Sequence, residues 1–203
     1  MLPLNSLPYP QRTLNHERVR LRKLNIRKSE EIARLRAIEE HEPAKKYMVG
    51  RLHTDSQFKW FAKGDRRHIT FGLSGKRGHV TANEVGKLQG WIHIYNDVVL
   101  RRNIQKLLKR QSLKTHPQGK NVLEVSFAKY PLAKGGQVSS GLRQTCRWLT
   151  RHLKEPELKI AAFTAKDNVT SIRVLKAAGF RKLDEIKYSD QHPHRDLVFI
   201  LLR

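Results

Sequence analysis

The stretch Leu158–Lys182, LKIAAFTAKDNVTSIRVLKAAGFRK, decides the fold. Its opening LKIAAFT is an apolar run of strand length. Asn168 follows where a side-chain oxygen can accept from the free N–H groups that open a helix. Ile172 and Leu175 then recur at helical spacing, Gly179 can take the left-handed conformation that ends a helix, and Phe180 anchors the start of the next strand. A strand, a capped helix and a second strand in this order predict an α/β sheet with crossover connections.

Outward from this unit the same alternation continues. Before it, a helix beginning near Gln137 carries Leu142, Cys146 and Leu149; after it come strands around FRKLDEIKY and DLVFILL. Upstream, HITFGL and LQGWIHIY flank the turn-like SGKRGH and join NVLEVSFA in an antiparallel meander. RVRLRKL, from Arg18, alternates like a half-buried strand. Ser29 then reads as a helix N-cap, with Glu30 and Glu31 in the first turn, Ile32, Leu35 and Ile38 on one face, and Pro43 as the stop. Phe58, Trp60 and Phe61 suggest a short second helix. Residues 1–15, with Pro3, Pro8 and Pro10, read as an extended arm before a single domain at 16–203.

The link between the last two meander strands is too long for a tight hairpin. Over about residues 98–120 it reads as a basic amphipathic insertion: Leu100, Ile104, Leu107 and Leu108 share a helical face. Arg101, Arg102, Lys106, Lys109, Arg110, Lys114 and Lys120 supply charge with no acidic residue among them. Such a face is a candidate nucleic-acid contact, a membrane-surface or partner contact, or a solvated exterior.

Across 203 residues, 41 Lys and Arg oppose 18 Asp and Glu for a formal charge of +23, which draws polyanions such as RNA to the surface. With 38% hydrophobic residues there is material for a core. The lone Cys146 excludes an internal disulfide and any multi-cysteine zinc site, which suits a cytoplasmic location or an organelle matrix. No apolar run approaches membrane-spanning length. His192-Pro193-His194 has no accompanying ligand cluster, so no metal is expected. Trp91 and Trp148 are expected in the core.

The order strand, helix, three strands, helix, strand, helix, strand, strand resembles the GNAT acetyltransferase superfamily from about Arg18 onward. The resemblance is strongest at Asn168, Ser171, Ile172, Leu175, Gly179 and Phe180. The opening RVRLRKLNIRKSEEIARLRAIEEHEPAKKYM is similar to the GNATs that acetylate ribosomal-protein N-termini. The resemblance implies a mixed α/β sheet, antiparallel in its N-terminal strands, with helices on both faces, and binding of acetyl-CoA. The coenzyme would lie along Ser126, Phe127 and Ala128 and be capped by Asn168 and Ser171. Its pyrophosphate would sit in the loop Lys134, Gly135, Gly136, Gln137, Val138 and Ser139, at a helix N-terminus.

An ungapped alignment puts Gln137 where the family has its first motif glycine; a shift of one residue would give that place to Gly136. Glu124 stands where several GNATs carry a general base. The tyrosine that many members place seven residues after the capping Asn is Leu175 here, which leaves Ser171 as the candidate acid. His93 and Tyr95 on one strand face, and His192 and His194 in the last hairpin, are further candidates near the acceptor. Two readings follow: an acetyltransferase acting on a protein or RNA-linked amine, or a GNAT-fold protein without catalysis that binds RNA within a ribonucleoprotein particle.

Overall fold

In a computed structural model of the chain, which describes residues 4, 18–47, 54–96, 98–110, 122–153, 158–189 and 192–201, seven strands form one sheet flanked by six α-helices. In chain order these are β1 (Val19–Arg22), α1 (Ser29–Glu40), α2 (Glu42–Tyr47), α3 (Asp55–Lys63), β2 (His68–Gly75), β3 (Leu88–Tyr95) and α4 (Val98–Arg110). β4 (Val122–Lys129), α5 (Gln137–Leu153), β5 (Lys159–Ala165), α6 (Val169–Ala177), β6 (Arg181–Ser189) and β7 (His192–Leu201) follow. The strand order is β1-β2-β3-β4-β5-β7-β6. β1 to β4 are antiparallel neighbours, β4 and β5 run parallel, and β7 is antiparallel to both β5 and β6. This is the mixed sheet that the resemblance implies.

Side chains alternate across a strand, so the register sorts the core into two layers. On one face Phe71, Leu73, Ile92, Ile94, Leu123, Val125, Ile160, Ala162 and Phe199 pack beneath α5 and α6 through Val138, Leu142, Cys146, Leu149 and Leu175. Gly141 lets α5 come close, for a Cβ there would lie 2.5 Å from Leu73 Cδ2. On the other face Leu35 and Ile38 of α1 and Phe58 and Phe61 of α3 pack on Leu88 and Trp91. Farther along that face, Ile104, Leu107 and Leu108 of α4 cover Val122, Ala161, Leu183, Val198 and Ile200. The inserted helix is therefore the second-face cover for the C-terminal half of the sheet.

Two local expectations are corrected. Ser29 is the first helical residue and not the cap; Lys28 holds the cap position without a side-chain hydrogen bond. Glu31 does the work nearby, accepting from Asn25 N–H and pairing with Arg22 at 2.6 Å. Pro43 does not end the helical region but lies in the first turn of α2, where a missing N–H costs no hydrogen bond. The chain has already turned at His41, whose backbone is extended. Of the segment 1–15 only Leu4 is described. It is fully buried with the α5 layer, and its N–H donates to Arg66 O at 3.3 Å.

Candidate functional site

β4 and β5 pair over three positions, Val122↔Lys159, Leu123↔Ile160 and Glu124↔Ala161, and no further. β4 then stays on β3 as far as Gly90↔Lys129, while β5 stays on β7 as far as Ala165↔Asp196. Each strand follows its own outer neighbour, so the two part company and open a wedge walled by residues 125–129 and 162–165. Ser126, Phe127 and Ala128, all half-buried, lie along one wall. Parallel strands lead to the same end of a sheet, and there both continue into helices, α5 after β4 and α6 after β5. Two helix N-termini, each with unused N–H donors and a positive dipole end, stand at the wedge mouth.

At α5 the turn is made by Gly136, whose φ of 80° is the left-handed conformation that glycine accepts without strain. Its carbonyl accepts from Ser140 N–H and Ser139 Oγ, both at 3.1 Å. Gly136 thus holds the turn, one residue before the position that the ungapped spacing assigned to the motif glycine. Gln137 is only 1% exposed, its amide is buried without a hydrogen-bond partner among the described residues, and so its side chain does not stand in the mouth. Val138 packs in the core, whereas Lys134 and Gly135 are exposed. A Cβ on Gly135 would meet nothing within 4 Å, and the first turn of α5 holds no acidic residue.

The sequence reading missed Arg18. From the start of β1 its backbone N–H donates to Ser140 Oγ and its guanidinium to Gly135 O, each at 3.1 Å, which sets a cation beside the α5 N-terminus. No local pattern signals this, because the partners are 117 and 122 residues away. At α6, Asn168 Oδ1 accepts from Ser171 N–H at 3.1 Å, as its cap role predicts. Gly179 has φ 96° and Phe180 is buried. Leu175 is fully buried in the core.

Glu124 lies at the apex of the wedge, 6% exposed and opposite Tyr95 in the β3–β4 register. The Tyr95 hydroxyl donates to its Oε1. Behind Tyr95 on the same face a row of rings crosses the sheet: His93 at 5.2 Å from Tyr95, His68 at 5.0 Å from His93, and Trp60 of α3 at 4.1 Å from His68. Phe61 stacks flat on His93. Thr70 Oγ1 gives its one proton to Phe61 O at 2.7 Å, so His93 Nδ1, at 2.9 Å from the same hydroxyl, is the donor in that contact. The His93 ring is thereby fixed as the Nδ1–H tautomer.

Burial, and then the neighbouring His68, push His93 down to about 3; burial likewise lowers His68, against the opposing pull of Asp65. In the unfolded chain both take a proton near the ordinary histidine value of about 6.5. The unfolded state therefore binds more protons below that value, and stability, complete above about pH 6.5, falls as pH drops from there toward 3. Urea titrations at successive pH values are expected to show this decline and to show it reduced in His93→Asn.

The remaining sequence candidates are only partly described. Lys106, Lys109 and Arg110 are exposed on α4. Arg101 and Arg102 belong to α4, and His192 and His194 to β7, but their side chains lie outside the description; Lys114 and Lys120 lie outside the described residues. Trp91 and Trp148 are buried in the core, as expected. Burial raises the Cys146 thiol, which removes it as a nucleophile. Among the described residues no three metal-ligating side chains cluster, and no helix is long and apolar enough to cross a membrane.

No protein-family model matches the sequence, and no curated protein does. Solved structures match over nearly the whole chain. A GNAT-family acetyltransferase from Bacillus anthracis superposes with a TM-score of 0.63 at 16% identity, covering 92% of this chain and 95% of its own. Ribosomal-protein-S5-alanine acetyltransferase from Vibrio fischeri gives 0.63 at 16% identity, covering 95% and 97%. Mycobacterium smegmatis RimJ, solved with CoA-disulfide, gives 0.62 at 19% identity, covering 91% and 81%. The fold of this chain is that of the GNAT acetyltransferases.

Proposed function

We propose, on the basis of that fold, that this protein is an acetyl-CoA-dependent N-acetyltransferase whose acceptor is an amine carried by a protein or by RNA. The observation that supports it most is the wedge between β4 and β5, with the Gly136 turn and the α5 N-terminus at its mouth and Glu124 at its apex. The residues present fit the coenzyme. Open space over Gly135, no acid in the first turn of α5, and the cations Arg18 and Lys134 suit a pyrophosphate. The walls at 125–129 and 162–165 suit an extended arm that carries amides, which Ser126, Phe127 and Ala128 would flank. Acetyl-CoA supplies the thioester that the acceptor amine attacks.

The chain's own groups then manage protons. An alkyl ammonium must lose a proton before it is nucleophilic, and the Glu124 carboxylate, oriented by the Tyr95 hydroxyl, is the base that takes it. Leu175 offers no proton to a departing thiolate. Ser171 does: the α6 cap uses its backbone N–H, and its hydroxyl makes no hydrogen bond to a described residue. The lone buried Cys146 accords with work in a reducing, cytosol-like compartment.

Calorimetric titration with acetyl-CoA tests the reading, with saturable one-to-one binding expected. Arg18→Gln removes a charge-assisted contact worth about 1.5–3 kcal/mol, so its affinity should fall about tenfold or more. No heat of binding at millimolar coenzyme would overturn the proposal.

A further inference from the structure

Residues 98–154 contain thirteen Lys and Arg against a single acid, Glu124, which is buried. About half of the formal charge of +23 therefore arises in this span. In the rest of the chain 28 Lys and Arg meet 17 Asp and Glu, and ion pairs join Arg22 to Glu31, Arg34 to Glu84, Arg36 to Asp55 and Lys46 to Asp167. On α4, Lys106, Lys109 and Arg110 are exposed and make no ion pair with a described residue. Their spacing of three and four puts them on one helical side.

The opposite side of α4 carries Ile104, Leu107 and Leu108, which are spent on the sheet. An amphipathic helix that lies in a membrane inserts its apolar face, and here that face is not available. What the exposed side offers is a row of cations without an apolar partner, which reads backbone phosphate and not base edges. The register adds a direction. Val122, beneath α4, is two residues from Glu124, and their side chains project from the same face of the sheet, the face away from α5 and α6.

We infer that α4 is a docking surface for the phosphate backbone of RNA, set on the same side as Glu124, so that RNA held there brings an amine it carries, or one on a protein bound to it, toward the wedge. The docking itself does not depend on acetyl transfer; the direction it gives to the acceptor rests on the function proposed above.

The test measures anisotropy of a labelled, unstructured oligouridylate with the full chain over about 50–200 mM salt. One variant combines Lys106→Gln, Lys109→Gln and Arg110→Gln. A second, charge-matched, combines Arg151→Gln, Arg173→Gln and Lys176→Gln, which are exposed on α5 and α6 on the other face. At roughly 0.7 counterions per single-strand phosphate, the first variant should bind about a hundredfold more weakly near 0.1 M salt, with the slope of log affinity against log salt shallower by about 2. The second should keep the wild-type slope. Equal losses in both variants, no loss in the first, or wild-type binding to phosphatidylserine vesicles without binding to RNA would each overturn the inference. Acetyl-CoA titrations on the first variant should match wild type. RNA binding without any coenzyme binding would overturn the acetyl-transfer reading and leave the α4 surface standing.

Discussion

Glu124→Gln is expected to lower kcat by about 10²–10⁴ near neutral pH, the usual cost of removing a general base and the equivalent of about 3–5 kcal/mol in the barrier. The substitution keeps shape and leaves an amide oxygen to accept from the Tyr95 hydroxyl, so the β3–β4 register and the melting temperature should hold. Acetyl-CoA affinity should also hold, because the proposed cradle is made by the α5 turn at the other end of the wedge. Steady-state kinetics against a panel of amine-bearing peptides, from about pH 6 to 9, checks this. Turnover within twofold of wild type would remove Glu124 from the mechanism.

The largest expected effect on stability is at Phe71. It is fully buried in β2 and meets Trp148 of α5 edge-on, at 5.0 Å between centroids, so it ties α5 to the sheet. Phe71→Ala gives up the ring's burial and leaves a cavity that neighbours fill only in part, at a cost of about 3–5 kcal/mol. For a chain of this size each kcal/mol corresponds to roughly 2–4 °C, so the calorimetric melting temperature should fall by about 6–20 °C. A fall of less than about 2 °C would show that α5 is held by other contacts. Because α5 also presents Gly136 and its N-terminus at the wedge mouth, residual folded protein should bind acetyl-CoA more weakly.

How much was legible beforehand depended on how local each device is. Asn168 caps the helix three residues ahead of it and Gly179 ends that helix, so the unit Leu158–Lys182 reads correctly from neighbours alone. The meander reads correctly because Ile69, Phe71 and Leu73 alternate with partners on the other face. Glu124 could be placed on its strand by position, but not in contact with Tyr95, since register across a 26-residue link that holds a helix is not a local property. The wedge itself was invisible: it arises where β3 captures one strand and β7 the other, and nothing in VLEVSFAK or KIAAFTA marks where they separate. Arg18 escaped for the same reason. The one-residue ambiguity at the phosphate loop, between Gln137 and Gly136, persisted because spacing counted along the chain does not show where the backbone turns left-handed, and only the structure reveals that it does so at Gly136.

The division of labour on α4 has an evolutionary consequence. The residues that fix the helix to the sheet, Ile104, Leu107 and Leu108, share no position with those that face outward, Lys106, Lys109 and Arg110. Substitutions on the outward side leave the core layer untouched, so a lineage can gain, lose or invert that charge in single mutational steps without first acquiring compensating changes inside. The helix is thus a site where descendants of one scaffold can diverge in what they recognise while inheriting the same interior.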